Sequence, residues 1–323
     1  MENEPFRWCF IGTGRLAHQV AAEITKSGRH EIVSAYSRRI ESARQFASEF
    51  GDIAFDNAAE AIAADGVDGV YVVTPHSAHY EYVKKALELG KPVLCEKSFT
   101  TDAAQARELF VIAKKQGVYL AEAMWTWFSP IANKVKEWLD SGAFGEIEEV
   151  AANYHSDSRG YAARVTDPNL AGGALLDVGV YPITYLYRMF GKPEKVQCVG
   201  TLENGIDLKE DVTMHFPNGK AFIASASIVD DIGTEQFRLV GSKGEVSIPF
   251  FHSANEVTLQ RKDGENESFI GDGSFLNEFD RVAEEIRMGR TESAFVPMQA
   301  TVDVMDIMDE CRKQMGLIYP FEQ

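Results

Sequence analysis

Three groups of residues in this chain of 323 have types and spacings able to do chemistry. The first is Gly12-Thr13-Gly14-Arg15-Leu16-Ala17, a G-x-G-x-x-A run placed directly after the apolar stretch FRWCFI and at the opening of a helical pattern. In that context Gly12 permits a tight turn, Gly14 lets a diphosphate approach the backbone, and the small Ala17 lets helix pack close on strand. Free amides at the helix start supply a positive end for the phosphates. The second group is Ser37, Arg38 and Arg39, ending the following strand at the distance where a dinucleotide site contacts the adenosine ribose. An Asp or Glu there would accept from a ribose 2'-hydroxyl. A hydroxyl and guanidinium groups suit a 2'-phosphate instead, so the cofactor expected is NADP(H) in preference to NAD(H). The third group is Lys97, at the carboxyl end of an apolar strand where open α/β sheets place their ligands, with Asp177 and Tyr181 further on. The last two are four residues apart, so on a helix they project from one face.

The elements that must position these residues follow from the hydrophobic pattern. From residue 6 to about 122, short apolar runs alternate with longer amphipathic stretches, the grammar of parallel βαβ units. Strands are predicted at 6–11, 31–36, 68–74, 92–96 and 118–122, and helices at 77–89 and 102–116, with Asp102 able to cap the second. The run DGVYVVT at 68–74 is that of a strand covered on both faces. Beyond Trp127 the grammar changes. A helix at 130–141 ending at Gly142 precedes a long alternating strand at 146–156, then a Gly-rich loop and a helix at 174–190. From 195 to about 270, strands recur between turn signals such as Pro217-Asn218-Gly219 and Gly241-Ser242-Lys243-Gly244, an antiparallel meander. Helices near 275–288 and 297–315 follow. The fold class expected is α/β: a doubly wound parallel Rossmann sheet over 1–125, then an α+β domain with one large, mostly antiparallel open sheet over 126–323.

Composition narrows the partners. With 49 acidic against 32 basic residues the formal charge is −17, which repels nucleic acid and anionic membrane. No apolar run approaches the roughly 20 residues that cross a bilayer, and MENEPFR carries both charge signs where a signal peptide would need an apolar core. Cys9, Cys95, Cys198 and Cys311 are too scattered for a zinc site or a disulfide framework, and are read as reduced thiols. The expectation is a cytoplasmic protein whose partner is a small molecule, with no metal.

The stretch TPHSAHYEYVKKALELGKPVLCEKSFT, with GTGRLA, EAMWTWFSP and GGALLDVGVYP, resembles the glucose-fructose oxidoreductase/inositol dehydrogenase (Gfo/Idh/MocA) family. The MWT run and the DVGVYP helix look closest to its branch of dimeric dihydrodiol dehydrogenases and NADP-dependent D-xylose dehydrogenases. The resemblance implies that Glu96-Lys97 is the family's Glu-Lys-Pro motif with Ser98 in place of Pro, and that Lys97 lies beside the nicotinamide and the substrate. It implies that Asp177 and Tyr181 reach the substrate beside that lysine. Tyr181 would then be the general acid–base, Lys97 would stabilise the developing alkoxide, and Asp177 would orient the substrate hydroxyl or the lysine, with the Lys97 and Tyr181 roles open to exchange. Thr74 and Pro75 match the segment along the adenosine and pyrophosphate, with His79 near the cofactor or capping its helix. Trp125 would wall the pocket, and Trp127 stands where the branch commonly has Arg. Tyr154, His155 and Arg159 are further candidate substrate contacts. Hydride transfer on a sugar, polyol or trans-diol is the activity implied, with a homodimer formed through the C-terminal sheet. Two alternatives are a non-catalytic dinucleotide-sensing regulator and a sugar-active enzyme that uses tightly bound cofactor for internal redox.

Overall fold

In the computed structural model, residues 4–217 and 219–322 are described. Asn218 of the predicted Pro217-Asn218-Gly219 turn and the first three residues lie outside that set. By contacts the chain divides into two compact units, Met1–Trp125 with Phe275–Val302 and Thr126–Ser274 with Asp303–Gln323.

The first unit holds a six-stranded, fully parallel sheet: β1 (Phe6–Ile11), β2 (His30–Tyr36), β3 (Gly51–Phe55), β4 (Gly69–Val72), β5 (Val93–Glu96) and β6 (Leu120–Ala123), in the order β3-β2-β1-β4-β5-β6. This is the doubly wound dinucleotide-binding order. Strands β4, β5 and β6 are buried along their whole length, and β4 accordingly reads as an unbroken apolar run. Strand β3 was not foreseen: at the sheet edge, with Asp52 and Ile53 exposed, it carries no apolar run. The connecting helices are α1 (Arg15–Lys26), α2 (Ile40–Phe50), α3 (Ala58–Ile62), α4 (His76–Glu88) and α5 (Ala103–Gln116). Asp102 caps α5 by accepting from the Gln105 amide at 2.8 Å, and left-handed Gly117 ends it. The helix Leu276–Arg287 packs with this unit: Phe279 meets Trp8 and Tyr71 with ring centres 5.0 Å apart, and Asp280 pairs with Arg29 at 2.8 Å.

The second unit is built on an eight-stranded sheet: β7 (Ile147–Asp157), β8 (Lys195–Glu203), β9 (Ile206–His215), β10 (Ala221–Ser227), β11 (Val229–Gly241), β12 (Gly244–Pro249), β13 (Glu256–Arg261) and β14 (Glu267–Ile270). Their order is β14-β13-β12-β11-β7-β10-β9-β8, with every pairing antiparallel except β7 with β10. The helices α6 (Pro130–Asp140) and α7 (Val180–Phe190) pack in this unit, α7 against β7 and β10. A single helix over 174–190 was predicted. The observed backbone opens with a π turn over Leu175–Gly179 before α7 begins.

Candidate active site

The glycine turn is shaped first by its own neighbours. Gly12 has φ of 111°, and a Cβ there would stand 2.6 Å from the Val73 carbonyl oxygen, so the approach of β4 demands glycine. At Gly14 a Cβ would meet nothing within 4 Å. Helix α1 starts from Gly14 with no side-chain cap and no acidic residue in its first turn. A helix start with open space in front and no competing carboxylate fits a diphosphate. The buried Thr74 hydroxyl, just beyond β4, has no hydrogen-bond partner among the described residues, so a polar group of a bound dinucleotide would satisfy it. Ser37, Arg38 and Arg39 line one open cavity at the end of β2, with both arginines exposed and no carboxylate in the tripeptide.

Lys97 follows β5 directly, and the Lys97–Ser98 peptide is cis. Its backbone amide donates to the Glu96 carboxylate at 3.2 Å, and the same carboxylate accepts from the Tyr71 hydroxyl at 2.5 Å. Burial, with the charge of Glu96 next, holds the Tyr71 phenol well above its ordinary value, so it stays a donor. His79 is fully buried, with Nδ1 2.9 Å from the Ser98 carbonyl and Nε2 2.8 Å from that of Thr74. It therefore ties the Thr74-Pro75 segment to the backbone just after Lys97. Trp125 stacks on Phe275 with ring centres 4.6 Å apart. Glu122, beside β5, is a buried carboxyl pushed up to about 7 by desolvation, against the hydrogen bonds from Thr301 and Phe99.

In the second unit Asp177 lies on the π turn, a kind of helix defect frequent at functional sites. It is buried and accepts from Arg164 Nη1 at 2.6 Å. The turn is anchored by buried Asp207, whose carboxylate accepts from the Leu175 amide at 2.5 Å. Before the turn, a Cβ on Gly172 would stand 2.6 Å from the Val165 carbonyl oxygen and one on Gly173 would collide with Asp207, so these glycines serve the chain's own packing. Tyr181, in the first turn of α7, stacks on Tyr154 of β7 with ring centres 5.7 Å apart. Burial, then the charges of Glu235 and Asp177, keep the Tyr154 phenol protonated. Arg159 is exposed and paired with Asp157 and Asp231 at 2.8 and 3.2 Å, away from this stack in its bonding. His155 bonds to Ser225 at 2.9 Å. Trp127 is buried, with Tyr187 stacked at 6.2 Å and the Arg188 guanidinium 5.3 Å over its ring, so a positive charge does accompany this position.

The pattern reading overlooked Arg164, Glu235 and His252. Glu235 had a signal: it shares the inward phase of β11 with Phe237 and Leu239, where a carboxylate is out of place. His252 had none, because its position depends on a turn. The four cysteines are free and buried in the core, and desolvation pushes the Cys9 thiol up to about 12.

This parallel sheet with its glycine turn, joined to a sheet-based second unit, defines a class of dinucleotide-dependent oxidoreductase. Residues 6–124 match the oxidoreductase family, NAD-binding Rossmann fold, and residues 132–247 match the GFO/IDH/MocA C-terminal domain. The chain belongs to the GFO/IDH/MocA oxidoreductase family. It is 31% identical to the trans-1,2-dihydrobenzene-1,2-diol dehydrogenase of Mus musculus, over 97% of this chain and 98% of that one. It is 32% identical to the D-xylose 1-dehydrogenase (NADP+) of Hypocrea jecorina, over 97% and 93%. Among solved structures it resembles a 3-ketoreductase from Actinomadura kijaniata in complex with NADP and TDP-benzene, with a TM-score of 0.86, 25% identity and coverage of 96% and 98%.

Proposed function

We propose that this enzyme is an NADP(H)-dependent oxidoreductase that interconverts a hydroxyl and a carbonyl on a sugar, polyol or trans-diol. The observation that carries this reading is full-length similarity to two dehydrogenases of CH–OH groups in a chain that keeps Lys97, Asp177 and Tyr181. The choice of NADP(H) rests on Ser37 and Arg38, which offer a hydroxyl and a guanidinium where an NAD site would offer a carboxylate. When bound, the nicotinamide supplies the hydride acceptor or donor. Thr13, Gly14, Arg15 and Leu16 would hold the diphosphate by backbone amides, Gly12 serves the turn that leads to them, its own amide donating to the Tyr36 carbonyl at 3.0 Å, and Thr74, Pro75 and His79 shape the adjoining strand end. In oxidation Tyr181, acting as the phenolate, takes the hydroxyl proton and becomes the phenol, Lys97 stabilises the oxygen as negative charge develops, and Asp177 orients the substrate hydroxyl. Trp125 and Tyr154 offer aromatic faces to the apolar side of a sugar ring.

The test is a panel of aldoses, cyclic polyols and diols assayed with NADP+ and NAD+, repeated on Lys97→Ala and Tyr181→Phe. At least one substrate should turn over with higher kcat/KM for NADP+, and each variant should lose at least a hundredfold in kcat. Equal or better efficiency with NAD+ would remove the cofactor assignment, and undiminished turnover in Lys97→Ala would remove the mechanism. A homodimer through the exposed face of the second unit's sheet, and a cytoplasmic location consistent with four free thiols, belong to the same reading.

A further inference from the structure

The second unit contains a carboxylate–imidazole pair that the scheme above does not use. Register places Glu235 of β11 directly opposite Tyr154 of β7. Side chains opposite each other in neighbouring strands share a face, so Glu235 stands beside the Tyr154 ring. The chain returns to this point after β12. Phe250 takes a left-handed backbone with φ of 51°, its amide donates to the Glu235 carbonyl at 2.9 Å, and the buried Phe251 ring packs edge-on against Tyr185. Those anchors deliver His252 to the Glu235 carboxylate. One oxygen, Oε1, accepts from both the His252 backbone amide at 2.8 Å and the imidazole Nδ1 at 2.6 Å. The ring so held lies 5.1 Å from the Tyr154 ring and 5.5 Å from the Tyr181 ring, centre to centre.

A buried carboxylate that fixes Nδ1 sets the ring's orientation and tautomer, and leaves Nε2 as its second polar position. A phenol placed to work on one hydroxyl is thus flanked by an oriented imidazole. Sugars, cyclic polyols and vicinal diols carry a second hydroxyl on the neighbouring carbon. We propose that His252, held by Glu235, is a specificity-determining residue that hydrogen-bonds the hydroxyl adjacent to the reacting one. This rests on the reading of Tyr181 as the group that works on the reacting hydroxyl. Glu235 is a positioning residue acting through His252. The pair favours substrates with two neighbouring oxygens over simple alcohols and isolated ketones, because a site built around a substrate hydroxyl rejects the analogue that lacks it.

The experiment crosses enzyme variants with substrate variants. Kinetics are measured for the best vicinal substrate of the panel and for its analogue deoxygenated at the adjacent carbon, on wild type, His252→Phe, His252→Gln and Glu235→Gln. His252→Phe keeps the ring wall beside Tyr154 and Tyr181 but loses both nitrogens. It should lower kcat/KM for the vicinal substrate by about tenfold or more, mostly through KM, and leave the deoxy analogue within about twofold. His252→Gln, which returns an amide near the Nε2 position, should recover part of the loss, and Glu235→Gln should show the same pattern more weakly. Titration of NADPH by its fluorescence should give an unchanged Kd in all three, so a folding defect is recognised separately. Equal losses on both substrates would overturn the proposal in favour of a structural role, and so would no loss on either. Absence of turnover in wild type across the whole panel is a different result: it would remove the oxidoreductase reading itself, and this proposal with it.

Discussion

At the scale of single residues, two glycines of one turn do different work, and substitution separates them. Gly12 is required by the protein: its positive φ and the 2.6 Å approach to Val73 oxygen leave no place for a methyl group. Gly12→Ala should cost about 1–3 kcal/mol of stability, read as a lowered Tm of the protein without cofactor. Gly14 has ordinary φ of −78° and open space where its Cβ would point. Gly14→Ala should therefore leave that Tm within a degree or two while weakening NADPH binding at least tenfold in a fluorescence titration. A matched pair of effects, stability for one glycine and affinity for the other, is expected only if the open space belongs to the ligand. Arg38 allows a sharper test of which ligand. Its loss removes a charge-assisted contact worth about 1.5–3 kcal/mol, so Arg38→Ala should raise KM for NADP+ about ten- to a hundredfold and leave KM for NAD+ nearly unchanged. Equal changes for both dinucleotides would show that Arg38 does not read the 2'-phosphate.

At the scale of elements, the sequence patterns described whatever depends on burial and little that depends on register. Strands β4 and β5 were readable because both faces are covered, and α5 because Asp102 and Gly117 mark its ends. The edge strand β3 had no such signature. The π turn under Asp177 was also unreadable, since an extra residue in one turn leaves the apolar content of the helix unchanged. Lys97, Asp177 and Tyr181 could be singled out from strand ends, spacing and resemblance. Glu235 left only the trace of a carboxylate in the inward phase of β11, and its pairing with His252 left none, because their meeting depends on the β11/β7 register and on the turn after β12. Elements also carry the pH response. Glu122 on β6 sits beside β5 with its carboxyl pushed up to about 7 by desolvation, so the folded protein prefers it protonated. Its contribution is favourable below the ordinary carboxylate range and is lost as pH rises from about 4.5 through 7. Glu122→Gln keeps the shape and an acceptor for Thr301. It should flatten the fall in stability between about pH 4.5 and 8, by on the order of 3 kcal/mol at the upper end, measured by urea denaturation across that range. Parallel curves for wild type and variant would show that Glu122 is not the titrating group.

At the scale of the whole molecule, charge and exposed apolar surface pull in opposite directions. The formal charge of −17 keeps copies of the chain apart at low salt, and among the described residues no helix is long and apolar enough to cross a membrane. The eight-stranded sheet nevertheless exposes Val199 on β8 at 69% and Ile223 on β10 at 49%. Register sets Ile223 between Thr213 of β9 and Ala151 of β7, and continues to Arg238 of β11, so the exposed side chain sits in a row of small or neutral neighbours bordered by charge. The Arg238 end is tied by ion pairs to Glu149 and Glu245, at 2.7 and 3.4 Å. An open sheet face with exposed apolar side chains among charged ones suits a protein contact, and the proposed homodimer would use it. Two consequences follow from the competing terms. Because pairing two strongly acidic chains costs electrostatic free energy that salt screens, the dimer should tighten as ionic strength rises from about 0.01 to 0.15 M, where the Debye length falls from about 30 to 8 Å. Because Ile223 is half exposed within the single chain, Ile223→Glu should leave the chain folded, with unchanged NADPH affinity, while halving the mass measured by light scattering. A monomeric mass for the wild type at every salt concentration would rule out this interface, and a dimer that survives Ile223→Glu would move it to another face of the molecule.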